Sequence, residues 1–392
     1  MFELTDGQLE LKQNIVKWYE QDLGPDFVYA GPAGTGKTSI LPFITKELGL
    51  EPDEVLYCAF TGKAASVLMQ KGFDASTIHS AFFDLKEQPL YDKFGAPIKR
   101  NGRNVMGLKF IEKEFLSPRI KLIVADEWSM INSDLAKVMY KFGIPIIASG
   151  DEYQLPPVFG ESPFAKKVKY RLTEITRQAK YSGIITLATL IREGEDLPIY
   201  KNFFNSAYVM PKFMLEDTHL LDADMILTPK NKTRNILNDK VRSLHNHTGI
   251  LPEVGDKLVN RKNNWITSLD GIPLINGIVG TCIHPIRMSE CNLAQGIYRM
   301  DFRPDYSDDN YYEALKCDYD FLKEPCGSKE INMYNTGNKF EYAEAITVHL
   351  SQGSQYNKVL YYDEFVGDRE NMQKMRYTAV TRAIDKVYMF IW

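Results

Sequence analysis

The chain reads as an α/β protein with two parallel sheets, a hairpin insertion in the first and a small β-barrel insertion in the second. Three observations predict this. At both ends of the chain, short β-branched apolar runs alternate with helical stretches, the pattern of parallel strands covered by helices. A stretch rich in Gly, Pro, Lys and Arg over 84–118 interrupts the first series. Short strands separated by turn dipeptides interrupt the second.

In the first half, strands are expected at Phe27–Ala30, Val55–Phe60, Leu122–Ala125 and Ile144–Ser149, with helices at Thr38–Leu48, Lys63–Lys71 and Asn132–Phe142. Within the interruption, Leu90–Ile98 can fold as a hairpin around Phe94–Pro97. From Lys93 to Lys121 eight basic residues stand against two acidic ones, a local charge of +6 in a chain of formal charge −4. A solvated loop accounts for this; so does a surface facing phosphates, which need Lys and Arg. After a strand at Asp224–Thr228 and a helix at Asn231–Leu244 the texture changes. Turn signals at Gly255-Asp256, Asp270-Gly271 and Asn276-Gly277 punctuate short strands, the signature of a small barrel. Asp301–Pro325 holds eight acidic and three basic residues and is expected to be helical in its second half. Alternation returns with Ala345–Val348, Val359–Tyr362, a helix over Asp368–Val380, and Val387–Ile391.

Composition excludes several classes. Hydrophobic residues at 44% and charged residues at 25% of 392 are ordinary globular values, not those of a disordered or fibrous chain. No run approaches the roughly 18–20 apolar residues that span a bilayer. The opening MFELTDGQLELKQ has no apolar signal core, so a cytoplasmic protein is expected; the compact length and lack of an accessory domain point to a bacterial or phage-infected cell. Five cysteines fit a reduced compartment. Eight residues separate Cys282 from Cys291 and Cys317 from Cys326, unlike the tight spacing of zinc sites, so scattered thiols are expected. His245-Asn246-His247 has the look of a nuclease metal pair, but no carboxylate or tyrosine partner can be assigned. A solvated helix end is the expectation.

Three segments carry chemistry. Gly31-Pro32-Ala33-Gly34-Thr35-Gly36-Lys37-Thr38 matches G-x-x-x-x-G-K-[ST] between a strand and a helix. Its glycines let backbone N–H groups wrap phosphates, Lys37 neutralises them, and Thr38 ligates Mg²⁺. Ile120–Glu127 is an apolar strand ending in two carboxylates: Asp126 for Mg²⁺, Glu127 to orient or deprotonate water. Glutamate at that second position favours hydrolysis. Gly150-Asp151-Glu152-Tyr153-Gln154-Leu155-Pro156-Pro157 follows the next strand, where parallel sheets collect ligand groups, so Gln154 can reach a terminal phosphate.

With further segments, these resemble the superfamily 1 helicases of the 5′→3′ branch, the RecD/Dda-like group, in the family's order from Gln8 to Arg382. Leu4–Gln8 resembles the Q motif, which assigns Gln8 to adenine. Ala59–Ala65 and Ser76–Ser80 resemble motif Ia and the strand-binding motif after it. Leu172–Gln178 resembles motif IV and Tyr377–Ala383 motif VI; they place Arg177 and Arg382 as arginine fingers. Ala345–Ser354 resembles motif V. Trp128, Leu350 and Gln355 depart from the family pattern.

The resemblance implies RecA-like domain 1A over 1–83 and 119–176, a pin insertion 1B over 84–118, RecA-like domain 2A over 177–250 and 341–392, and an SH3-like insertion 2B over 251–340. It implies catalytic roles for Lys37, Glu127, Gln154, Arg177 and Arg382. ATP is expected against Gln8, Gly34, Thr35, Gly36, Lys37, Thr38, Ser39, Gln154 and Gly353, with Mg²⁺ on Thr38 and Asp126. A nucleic-acid track is expected along Thr61, Lys63, Thr77, His79, Thr347 and His349, with Phe83, Pro89 and Trp265 as stacking positions. The implied activity is ATP-dependent 5′→3′ DNA unwinding by a monomer. Its partners would be single-stranded DNA, duplex junctions and replication or single-strand-binding proteins, with no membrane. An RNA helicase of the same superfamily and a DNA-stimulated translocase that does not unwind are the alternatives.

Overall fold

In a computed structural model the described residues are 4–89, 96–97, 99–100, 103–104, 106–157, 160–176, 181–269, 272–323 and 337–392. The chain divides into two units. Unit 1 is Met1–Ala30, Lys37–Gly150 and Phe159–Leu172; unit 2 is Gly31–Gly36, Asp151–Val158 and Thr173–Trp392.

Unit 1 opens with α1 (Asp6–Glu20), started by a capping box: the Gln8 N–H donates to the Thr5 hydroxyl at 3.3 Å and the Thr5 N–H to Gln8 Oε1 at 3.0 Å. There follow β1 (Asp26–Ala30), α2 (Leu41–Glu47), β2 (Val55–Ala59), α3 (Gly62–Gln70), β3 (Ala75–Thr77) and α4 (Ile78–Phe82). The inserted strands are β4 (Phe83–Pro89), β5 (Lys99–Arg100), β6 (Arg103–Asn104) and β7 (Met106–Glu112). The unit closes with β8 (Leu122–Asp126), α5 (Ser133–Tyr140), β9 (Ile146–Gly150) and β10 (Val168–Arg171). The main sheet runs β10-β1-β9-β8-β2-β3, parallel at every pairing. Every residue of β1 is buried, and the side chains alternate: Phe27 and Tyr29 enter one core, Val28 and Ala30 the other. That is why these strands read as unbroken apolar runs. β4 and β7 form an antiparallel pair from Phe83↔Glu112 to Pro89↔Met106. The expected turn at Leu90–Ile98 lies mostly outside the described residues.

The helix expected from Thr38 begins at Leu41, and Lys37–Ile40 are turn residues. Pro42 has no N–H to give Thr38, so the helical ladder cannot cross this point. Leu41 N bonds Thr38 O at 3.3 Å instead.

Unit 2 contains α6 (Gly183–Glu193), β11 (Lys201–Phe203), β12 (Ala207–Pro211), α7 (Asp217–Asp222), β13 (Met225–Thr228) and α8 (Asn231–Leu244). Then come β14 (Lys257–Asn260), β15 (Asn264–Leu269), β16 (Ile272–Leu274), β17 (Val279–Cys282), β18 (Ile297–Pro304), β19 (Tyr312–Asp318), α9 (Tyr319–Lys323) and β20 (Phe340–Tyr342). The last elements are β21 (Ala345–Thr347), β22 (Tyr356–Tyr362), α10 (Arg369–Val380) and β23 (Ala383–Ile391). One sheet runs β11-β12-β23-β22-β13-β21, antiparallel only at β11–β12. β11 and β12 were not foreseen from the sequence. A separate antiparallel sheet, β19-β18-β17-β14-β20, wraps a core of Leu258, Tyr298, Phe302 and Phe340. The acidic segment expected to be helical is strand over Tyr312–Asp318, because Tyr312, Leu315 and Cys317 face that core. Its helix is short, and the Asp318 carboxylate caps it by accepting the Phe321 N–H at 3.0 Å.

α8 joins this sheet to the parallel one through polar groups. Arg234, Asn238 and Arg242 recur every four residues, share one face, and are all buried. Arg234 bonds Glu341 at 2.7 Å, Asn238 bridges Tyr342 O and Ala345 O at 3.0 Å each, and Arg242 bonds Asp256 at 3.1 Å. Asp256 also binds His247 Nδ1 at 2.8 Å, so the second histidine of the His-Asn-His run braces a turn. Among the described residues no group of three or more His, Cys, Asp or Glu is arranged to hold a metal, and no helix is long and apolar enough to cross a membrane. Replacing Arg242 by Met leaves Asp256 buried without its cation. This change is expected to lower unfolding stability by about 3–5 kcal/mol. Arg287→Met, at an exposed pair, should leave the denaturation midpoint unchanged; equal midpoints for both variants would contradict the assignment.

Candidate phosphate-binding site

The loop between β1 and α2 is shaped by its glycines. Gly34 at φ 83° and Gly36 at φ 73° lie in left-handed space that side chains avoid, and such turns point successive N–H groups inward to form an anion cradle. Thr35 is buried and its hydroxyl donates to Pro32 O at 2.9 Å, while Gly34 O accepts the Thr176 N–H at 2.9 Å. Tyr29, fully buried, donates its phenol to Lys37 O at 2.8 Å. Burial pushes that phenol far above its ordinary value, so it stays a donor.

In unit 1 the loop's end meets the end of β8. The Thr38 hydroxyl donates to Asp126 Oδ2 at 3.1 Å, and Ser149 Oγ and the Glu127 N–H donate to Asp126 Oδ1. A hydroxyl beside a carboxylate is a hard oxygen pair of the kind Mg²⁺ takes. Glu127 is held at φ 56°, ψ 50°, left-handed space that costs a non-glycine residue about 1–3 kcal/mol and recurs at functional sites. Trp128, 2% exposed, follows it; its indole N–H donates to Tyr29 O at 3.0 Å. The ring lies flat against Gly150, where an added Cβ would stand 2.7 Å from three ring atoms. This bulky residue therefore spans β1, β8 and β9 at their carboxyl ends.

In unit 2, Asp151 is 2% exposed; its Oδ1 accepts the Tyr153 N–H at 3.0 Å and its Oδ2 the Tyr377 hydroxyl at 2.8 Å. Gln154 is half-buried in the loop after β9. The Leu155 N–H donates to Thr378 Oγ1 at 2.9 Å, and Gln352 donates to Leu155 O at 2.8 Å. Arg382 is buried, with Nε on Thr378 O and Nη1 on Ser354 O, each at 3.2 Å. Gly353, at φ 73°, makes the buried turn beside it. Arg177 lies outside the described residues.

Several of the other expected residues take structural partners. Gln8 Oε1 is engaged in the capping box, and Ser39 is exposed in the turn before α2. Thr61 and Thr77 are N-caps, accepting from Ala64 and Ser80 at 3.1 Å each. Lys63 sits in the first turn of α3. His79 stacks on Phe83 at 5.6 Å and tilts against Phe110 at 5.3 Å, and burial pushes its imidazole below its ordinary value, toward the neutral form. Pro89 ends β4. Thr347 ends β21 and accepts the Leu350 N–H at 3.3 Å; His349 is exposed. Sequence reasoning missed Tyr29, Ser149 and Tyr377 as partners of this machinery, since only sheet order and helix register bring them there.

A family model described as an AAA domain matches residues 3–203, just over half of the 392. The chain belongs to the AAA domain family. Its tail, residues 342–390, matches a second model, the UvrD-like helicase C-terminal domain. These matches agree with the superfamily 1 resemblance of the motifs. The AAA domain chain is 31% identical over 207 residues to the ATP-dependent DNA helicase dda of Enterobacteria phage T4, covering 49% of this chain and 43% of that one. It is 25% identical over 391 residues to the ATP-dependent RecD2 DNA helicase of Deinococcus radiodurans, covering 92% and 46%. The chain thus spans less than half the length of these relatives. In fold it is similar to a Bacteroides Pif1 helicase solved with ADP-AlF3 and single-stranded DNA, with a TM-score of 0.54, 18% identity, and coverage of 100% of this chain and 94% of that one.

The Trp128–Gly150 contact makes its own prediction. Gly150→Ala overpacks the contact and is expected to cost about 1–3 kcal/mol of stability. In a Trp128→Leu background the same change should cost much less. Equal costs in the two backgrounds, measured by denaturant titration, would rule the contact out.

Proposed function

We propose that the protein is an ATP-dependent DNA helicase that moves 5′→3′ along single-stranded DNA and separates duplex. The observation that carries this reading is the Thr38 hydroxyl 3.1 Å from the Asp126 carboxylate, with Glu127 beside it on the same strand end. That the AAA domain's relatives are named as ATP-dependent DNA helicases supports it.

In this reading Lys37 neutralises the terminal phosphates, and Thr38 and Asp126 hold Mg²⁺, which would supply further charge neutralisation. Glu127 orients the attacking water and accepts its proton. Gln154 contacts the terminal phosphate, Gln8 the adenine, and Arg177 and Arg382 offset charge developing at the phosphate; such fingers contribute about 10³–10⁵ in rate. The sheet β19-β18-β17-β14-β20 is read as the SH3-like insertion, and the β4–β7 pair as the base of a pin whose +6 surroundings face DNA. Thr61, Lys63, Thr77, His79, Thr347 and His349 form the strand track, with Phe83 and Pro89 stacking on bases. The protein acts as a monomer on single strands and duplex junctions in the cytoplasm.

Lys37→Ala should abolish ATP turnover. Glu127→Gln should keep nucleotide affinity while lowering kcat by about 10²–10⁴; near-normal turnover of this variant would remove Glu127 as the base. Unwinding should require a 5′ single-stranded DNA tail. Efficient unwinding from a 3′ tail alone would refute the direction, and equal use of an RNA tail the sugar preference.

Shortening Leu90–Arg103 to a Gly-Ser turn should preserve DNA-stimulated ATPase while strand separation falls sharply. If the segment only adds general affinity, unwinding recovers at saturating enzyme, and the pin is rejected.

A further inference from the structure

Tyr377 has no place in the hydrolysis scheme above, yet it is among the most constrained side chains of unit 2. It lies on α10, five residues before Arg382, and is 1% exposed. Its phenol oxygen joins two groups of the same unit: it accepts the Ala33 N–H at 2.8 Å and donates to Asp151 Oδ2 at 2.8 Å. The Ala33 N–H can only donate, so the phenol oxygen accepts from it and turns its own proton to Asp151 Oδ2. The next residue, Thr378, accepts the Leu155 N–H at 2.9 Å. One turn of one helix therefore grips the phosphate loop at Ala33 and the Gln154 loop on both sides of Gln154. The same helix leads into Arg382, whose Nε bonds the carbonyl of Thr378. Burial and the Asp151 carboxylate push the phenol well above its ordinary value, which keeps the proton on the oxygen.

We propose that Tyr377 is a positioning residue for hydrolysis. Its hydroxyl holds the phosphate loop and the Gln154 loop in register with Arg382. This rests on the reading that the phosphate loop binds ATP.

Tyr377→Phe keeps the ring and removes the bridge. ATP affinity should stay within about twofold, because the hydroxyl bonds the two loops, at Ala33 and Asp151. DNA-stimulated kcat should fall about ten- to hundredfold, the range for losing a hydrogen bond to a charged group. Tyr361→Phe is the control: it removes an equally buried phenol of the same unit, bonded to Asp363 at 2.9 Å. It should shift the melting temperature by a similar amount and leave kcat unchanged. The proposal is overturned if Tyr377→Phe keeps kcat within twofold of the parent protein, if it loses affinity rather than kcat, or if Tyr361→Phe lowers kcat as much. Should Tyr377→Phe not fold, the isosteric Asp151→Asn weakens the same bridge from its other end. It must then lower kcat without loss of affinity, or the proposal falls. A parent protein without ATPase activity would instead overturn the ATP reading itself.

Discussion

Asp126 accepts hydrogen bonds from the Thr38 and Ser149 hydroxyls and from the N–H of Glu127, and these donors come from three stretches of chain that only a parallel sheet brings together. The order β1-β9-β8 sets Tyr29 opposite Ser149 and Ala125 opposite Ala148, so the carboxyl ends of three strands finish side by side. Each strand then releases a loop on the same edge. The carboxylate is oriented before anything binds, because both of its oxygens already have donors. A site prepared in this way does not have to reorganise as charge develops, which is where fixed dipoles are most effective.

Trp128 extends that constraint. Hydrogen-bonded to Tyr29 and pressed on Gly150, it locks the three strand ends against one another with a single side chain. It follows the left-handed Glu127 directly, so the ring anchors the residue after the strained one. Strain of this kind persists only where surrounding packing over-determines it. A small or aliphatic residue here could not reach both Tyr29 O and Gly150. The glycine and the tryptophan are thus a matched pair.

The phosphate loop and the Asp-Glu strand end could be read from sequence because each is dictated locally: glycines where φ must be positive, an unbroken apolar run where both sheet faces are covered. The parallel strands were legible for the same reason. The start of α2 was misplaced because the missing N–H of Pro42 outweighed the helical pattern around it. β19 was misread because its acidic residues mark neither face, Glu313 being exposed and Asp318 a buried cap of α9, and composition cannot tell a solvated helix from a half-buried edge strand. Thr61 and Thr77 show why such residues are ambiguous in sequence: a threonine before a helix can be its cap, and both hydroxyls do cap. Tyr377 stood within a recognised motif, but its partners Ala33 and Asp151 are 344 and 226 residues away, beyond any local pattern.

α8 would pass for a solvated helix on its composition, yet its Arg234, Asn238 and Arg242 face is buried. A leucine stripe there would be at least as stable, since buried ion pairs gain little over apolar packing. What the polar stripe adds is geometry. Guanidinium groups form directional bonds, so Arg234 on Glu341 and Arg242 on Asp256 fix the antiparallel sheet against α8 in one register. Asn238 completes it by receiving the Ala345 N–H at 2.8 Å and donating to the carbonyls of Tyr342 and Ala345. Those contacts straddle the point where the chain leaves β20 for β21, the start of the segment carrying Thr347 and His349. The inserted sheet is therefore tied by directional bonds to the strand whose end holds part of the proposed track. A displacement of one would be felt by the other through the buried stripe of α8.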